Sequence, residues 1–421
     1  MAMNPFTLKP MPQNKCFEDW DKLYPKAYDK YTVDPYTKVR IILMNGTEFE
    51  SQWFSRNFSR HCNNNDIRRA LALTRRIEQQ QQKKISMLKP VDESTLETTI
   101  GYEQLAVDLT AILAQNEPDP YVKAALDFAL LEDFDHLYRY SDLLEMEEGV
   151  RGEQLVGSYT EIMPGRPTIS EHRYPFDDIR RFAPRGSSDP LTNLHTMIIT
   201  AAEQQTMNYY MNIGQTHKTD LGRRLYAEIG MIEEQHVSQY ESLIDPNASW
   251  LEMALCHEYC ECYLYYSMMM DETDPHVRDI WEAHFNMEVA HLHAAVENLK
   301  KYEHKEWQQV IPVGEFPKLL AFTGCSTQNK KYVREVLQNT VNNTSVLEEY
   351  TEVCNLPHDY EFFKYNHTVN KTPASVASHA VIEDYITECG EDYRFEETAH
   401  PVRALRSRKV DNTTVGRDCC D

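Results

Sequence analysis

Two Glu-x-x-His runs, Glu233 to His236 and Glu288 to His291, constrain this chain most, because each trails a further glutamate by thirty residues. Glu203 precedes Glu233, and Glu258 precedes Glu288, at that same distance. Residues three apart share one face of an α-helix. A gap of thirty, at about 1.5 Å per residue, fits one helix, a tight turn and the return to the same depth on the next helix. Four such helices bring four carboxylates and two imidazoles to one level, the ligand set of a dinuclear carboxylate centre. A third run, Glu397 to His400, is followed at once by Pro401, which stops a helix, and counts as a chance match.

The chain also repeats itself. Asp34-Pro35 reads as a helix N-cap followed by proline in the first turn, and the same dipeptide returns 155 residues later as Asp189-Pro190. That offset superposes Glu48 on Glu203, Arg68-Arg69 on Arg223-Arg224, Ile77-Glu78 on Ile232-Glu233 and Leu96-Glu97 on Leu251-Glu252. It also superposes Glu103 on Glu258, Asp119-Pro120 on Asp274-Pro275, Val122 on Val277 and His136-Leu137 on His291-Leu292. Roughly twenty identities fall in about a hundred positions, where composition alone supplies about six or seven. An internal duplication follows, with an all-α architecture of two tandem four-helix bundles at residues 34–142 and 189–300. Residues 1–33 read as an irregular arm, and residues 143–188 as a proline-rich connector able to form a strap or lid. Residues 301–421 read as a tail with short helices near Phe316 to Phe322, Lys330 to Val341 and Val346 to Val353, ending in Cys419-Cys420.

The second repeat carries the complete set: Glu203, Glu233, His236, Glu258, Glu288 and His291. Apolar neighbours such as Ile198, Ile199, Ile229, Ile232, Phe285 and Val289 turn these faces inward, where an uncompensated charge is costly and a cation is the simplest partner. Oxygen-rich donors with two imidazoles suit iron or manganese better than zinc, whose usual sites are tetrahedral and richer in nitrogen or sulfur. The first repeat offers Glu48, Glu78, Glu103, Asp133 and His136, but Gln81 replaces the histidine aligned with His236, so a degenerate site or a metal-free scaffold is expected there. The inner turns around Pro90 and Pro246 are short and favour hairpins pairing within each repeat. The long connector lies between the repeats and leaves open a pairing across them. Tyr210, Tyr240, Tyr265 and Trp281 lie about two turns from ligands and Cys262 one turn from Glu258, spacings that serve core packing or electron transfer. Small buried residues are the reading for Cys256, Cys260 and Cys262 alike.

Composition excludes some partners. Asp and Glu outnumber Lys and Arg by 66 to 43, a net charge of -23, which argues against nucleic acid and anionic membrane. The ten cysteines form no Cys-x-x-Cys pair, so no rubredoxin-type or zinc-ribbon site is expected. Free thiols, the lack of an early apolar run and the lack of a spanning apolar stretch suggest a cytoplasmic protein.

From about Asp189 to Asn298 these residues resemble the ferritin-like superfamily, in particular its rubrerythrin-like members. The resemblance implies two iron ions, or manganese, reacting with peroxide or O2 and reduced by an external electron donor. Rubrerythrin-like peroxidase activity is the first expectation, and a di-metal oxidase or oxygenase acting on an organic substrate is the second. It also makes Glu261, one turn beyond Glu258, a candidate seventh ligand that moves with the metal's oxidation state. A metal-free helical scaffold or interaction protein is the reading from another class, and a homo-oligomer is compatible with either. Mineral storage fits a duplicated chain with long appendages poorly.

Overall fold

The computed structural model describes residues 2–162, 178–340, 343–346, 349–352 and 357–359. Among these are ten α-helices and one short two-stranded hairpin. The helices are α1 (Pro35–His61), α2 (Asn65–Ser86), α3 (Thr95–Asn116), α4 (Pro120–Glu148), α5 (Gly152–Val156), α6 (Pro190–Ile213), α7 (Asp220–Glu241), α8 (Trp250–Asp271), α9 (Pro275–Glu303) and α10 (Ser326–Thr340). No helix among the described residues is long and apolar enough to cross a membrane.

Helix starts follow the sequence signals. The carboxylates of Asp34, Asp119 and Asp274 each accept the backbone N–H two residues on, with proline in the first turn of the helix that follows. Asp189 does the same for Leu191 ahead of α6. Ser94 and Ser249, at equivalent positions of the two repeats, each form a reciprocal capping box with Glu97 and Glu252. Short turns then set depth. Glu258 stands thirteen residues before the end of α8 and Glu288 thirteen after the start of α9. Glu103 and Asp133 are placed in the same way on α3 and α4. Antiparallel helices joined by three residues thus hold both carboxylates about 20 Å from the turn.

The helices sort into two compact units, and neither is one repeat. The first contains residues 1–93, 183–202 and 244–323, and the second contains residues 94–182, 203–243 and 324–421. In the first, α1 packs on α2 and α8, α2 on α9, and α8 on α9. Its interior includes Leu43, Ile77, Leu255 and Leu264, all fully buried. In the second, α3 packs on α4, α4 on α7, and α5 and α10 on the α3–α4 hairpin. Its core runs from Leu96, Ile100, Leu130 and Phe134 to Tyr140, Tyr210, Tyr226 and Val333. Residues 34–142 and 189–300 are therefore not separate domains. The connections after α2 and α7 carry the chain from one unit to the other, and the division also falls inside α6, whose residues up to Ala202 belong to the first unit. From Glu203 on, α6 joins α7 in the second, so the ligand-bearing part of one hairpin from each repeat lies in each unit. Turn length makes hairpin partners antiparallel, but which hairpins then meet is decided by core packing, which no spacing reports.

The arm before α1 is irregular as expected. It holds three 3-10 turns, at Pro5–Thr7, Gln13–Lys15 and Trp20–Leu23, and buries Cys16 and Leu23. The tail differs from expectation in two places. Phe316 to Phe322 is not helical, because Pro312, Gly314 and Pro317 interrupt the backbone pattern; Phe316, Leu320 and Phe322 are buried from an extended segment. Where a helix was expected from Val346 to Val353, strands β1 (Asn343–Val346) and β2 (Glu349–Glu352) pair antiparallel, with Asn343 opposite Glu352. The helix expected at Lys330 to Val341 is α10. The middle of the connector, Glu397 to His400 and Cys419-Cys420 lie outside the described residues.

Candidate metal centres

Each hairpin brings the same half-set, a glutamate on one helix and an acid three residues before a histidine or glutamine on the next. In the second unit α3 and α4 supply Glu103, Asp133 and His136, and α6 and α7 supply Glu203, Glu233 and His236. Ligand atoms of Asp133, Glu203, Glu233 and His236 lie within 4.8 Å of one another, as do those of Glu103, His136 and Glu233. His136 Nδ1 is 2.9 Å from Glu233 Oε1, and His236 Nδ1 is 3.1 Å from Asp133 Oδ1 and 3.3 Å from Glu233 Oε2. The two imidazoles face each other with centroids 5.9 Å apart. All six residues are at most 1% exposed.

In the first unit α1 and α2 supply Glu48, Glu78 and Gln81, and α8 and α9 supply Glu258, Glu261, Glu288 and His291. Ligand atoms of Glu78, Glu258 and His291 lie within 4.8 Å of one another, and so do those of Glu258, Glu261 and Glu288. His291 Nδ1 is 3.0 Å from Glu288 Oε2, and the Gln81 amide donates to Glu288 Oε1 at 2.5 Å. Ser51 donates to Glu78 at 3.1 Å.

The six residues expected to form one site therefore do not converge. Glu203, Glu233 and His236 stand in the second unit, and Glu258, Glu288 and His291 in the first. The correction also changes the standing of the first repeat. Glu103, Asp133 and His136 complete the second unit's set, while Glu48 and Glu78 complete the first unit's; no repeat owns a degenerate site. Gln81 acts as a neutral donor holding a carboxylate.

The electrostatics of both clusters are dominated by burial. It pushes Glu48, Glu103, Glu203, Asp133, Glu258 and Glu261 above the usual carboxylate range, and neighbouring carboxylates add to the rise in each. Burial and Glu288 raise Glu78 against the pull of His291, to about 7. Glu233 goes the other way, since contacts with His136 and His236 outweigh its burial. His291 is lifted to about 9, as Glu288 and Glu258 overcome the cost of burying its charge.

Many polar atoms here are buried with no hydrogen-bond partner. They include Glu103 Oε2, Asp133 Oδ2, both Glu203 carboxylate oxygens and His136 Nε2 in the second unit. In the first they include Glu48 Oε2, Glu78 Oε2, both Glu261 oxygens and His291 Nε2. A carboxylate oxygen left without partner in a dry interior costs on the order of several kcal/mol, as much as one or two large core side chains contribute. Divalent cations remove that cost, and both donor sets, carboxylate oxygens with imidazole nitrogen, fit them.

The aromatic residues singled out by spacing take distinct places. Tyr210 donates to Glu103 Oε1 and Tyr265 to Glu48 Oε1, each reaching from one hairpin to the glutamate of the other. Burial, and then the adjacent carboxylate, holds both hydroxyls protonated. Tyr240 is buried, with its ring edge-on to His236. Trp281 instead donates to Glu272 at 3.2 Å, within a buried ion cluster around Arg40. Cys256, Cys260 and Cys262 are buried, and burial raises all three thiols. Glu132, 2.9 Å from His236 Nε2, was not anticipated; its repeat equivalent is Met287, so alignment carries no signal for it.

No protein-family model matches the chain, and neither a curated protein nor a solved structure does.

Proposed function

We propose that this chain is a di-metal carboxylate redox protein with two centres, each held in a four-helix bundle of ferritin-like kind that takes one hairpin from each repeat. One observation carries the reading. In the second unit four carboxylates and two imidazoles, from four helices, meet in a sealed interior with most of their facing oxygens lacking hydrogen-bond partners. Among core residues selected only for packing, such a concentration of unpaired charge is very unfavourable. Iron or manganese fits the donors, and when bound it supplies electrons to O2 or peroxide, with an external donor restoring them.

The chain's own groups then have definite work. His136 and His236 pair with Glu233 and Asp133 and fix how the acids point. Tyr210 and Tyr265 steady one glutamate each, Glu103 in the second unit and Glu48 in the first. Glu261, with both oxygens free beside Glu258 and Glu288, is the group able to change partners, which supports rubrerythrin-like peroxide reduction. Oxidation of an organic substrate is the second reading, favoured by a cleft that reaches the first centre.

Elemental analysis after anaerobic loading tests the proposal. About four iron or manganese ions per chain are expected, falling to about two in Glu233→Ala and to about two in Glu288→Ala. A chain that takes up no transition metal is a helical scaffold, and the redox reading is then wrong.

A further inference from the structure

In the first unit a narrow cleft of about 40 Å³ ends on Glu78, Glu258 and His291. Its walls are largely apolar, with Phe54, Phe58 and Leu251 prominent, and Glu258 at its foot keeps 13% of its side chain exposed. In the second unit the residues related by the 155-residue offset fill the corresponding space. Tyr210 stands where the cleft has Ser55, Tyr226 where it has Leu71, and Tyr140 where it has Ala295. These three rings pack with centroids 4.9 to 5.6 Å apart. The Tyr210 hydroxyl closes on Glu103, the equivalent of Glu258, and that of Tyr226 lies 2.7 Å from the Thr99 hydroxyl. The centres share a donor plan and differ in access.

We propose that the first unit's cleft binds an uncharged, mostly apolar organic substrate, and that the second centre, stoppered by Tyr140, Tyr210 and Tyr226, takes none. The assignment rests on the metal-centre reading above and names the substrate class for one of its two centres. Aromatic and aliphatic walls favour an apolar body. Glu78 and Glu258 at the foot repel an anion, and metal held there would cancel their attraction for a cation. The Thr74 hydroxyl, which accepts from Gln13, keeps its proton for one polar group of the ligand.

Calorimetric titration of the full chain with 1-octanol tests this, with metal content measured on the same samples. One saturable site per chain is expected, weakened by about tenfold or more in Ser55→Tyr and in Ala295→Tyr, which narrow the cleft from opposite walls. Either variant suffices if the other fails to fold, and both should keep the wild-type metal content. Tyr226→Leu should admit a second equivalent of octanol. Absence of saturable binding overturns the assignment, as does undiminished binding in a folded Ser55→Tyr or Ala295→Tyr protein. A chain that binds octanol but no metal keeps the cleft and loses the metal-centre reading.

Discussion

Gln81 occupies the position where the other three hairpins carry histidine, and its amide grips Glu288 where His136 grips Glu233. The substitution leaves the first centre with five acids and one imidazole. Its metal-free form should lose stability as pH rises. Carboxylates whose folded pKa lies above the unfolded value stabilise the fold below the unfolded pKa, and that stability is lost as pH rises through the folded one. For Glu78 the window is from 4.5 to about 7, worth on the order of 3 kcal/mol. His291, raised to about 9, has the same sign and loses its contribution as pH rises through that value. Melting of metal-free protein should therefore occur at lower temperature at pH 8 than at pH 5, with added metal reversing the loss. A melting temperature that climbs between those pH values contradicts this.

A second residue-scale case is Arg40, fully buried, with Nη2 2.6 Å from Asp271 and Nη1 3.4 Å from Glu272. Thr37 also donates to Glu272, at 2.6 Å. Removing the guanidinium strands two acids in the interior, so Arg40→Ala should cost about 3 kcal/mol in urea unfolding, without altering the metal capacity of the second unit.

At the scale of elements, the hairpin is the unit the sequence displays. Asp-Pro caps, capping boxes and thirty-residue spacings were all readable, because each is a local backbone requirement met by particular side chains. The partner of each hairpin was not readable. All four carry similar acids at similar depth, so Glu48–Glu78 matches Glu103–Asp133 as well as it matches Glu258–Glu288. The choice lies in side-chain fit across more than two hundred residues of chain, as in Ser51, Leu71 and Ala295 meeting around one cleft. One aromatic stretch in the tail departs from expectation for a related reason: Phe316 and Phe322 are apolar for burial, not for helical periodicity. Pairing across the repeats predicts that residues 1–150 and 178–421, expressed apart, bind little metal, and that co-expression restores the capacity of the intact chain. Full metal binding by either fragment alone would refute the arrangement.

For the whole molecule, the nested order of hairpins has a consequence during synthesis. The ligand-bearing helices of the second unit, α3, α4, α6 and α7, are all made once translation reaches Leu243, whereas α1 and α2 must wait for α8 and α9. The earliest hairpin to leave the ribosome is thus among the last to find its partner, with Ile77 and Leu43 uncovered meanwhile. A chain ending at Leu243 should protect α3 and α4 from protease while α1 and α2 are cut; the opposite pattern would exclude this order. A nascent protein of this design matures from the middle outward, and the unit with the open cleft is assembled only after the one whose acids are sealed in.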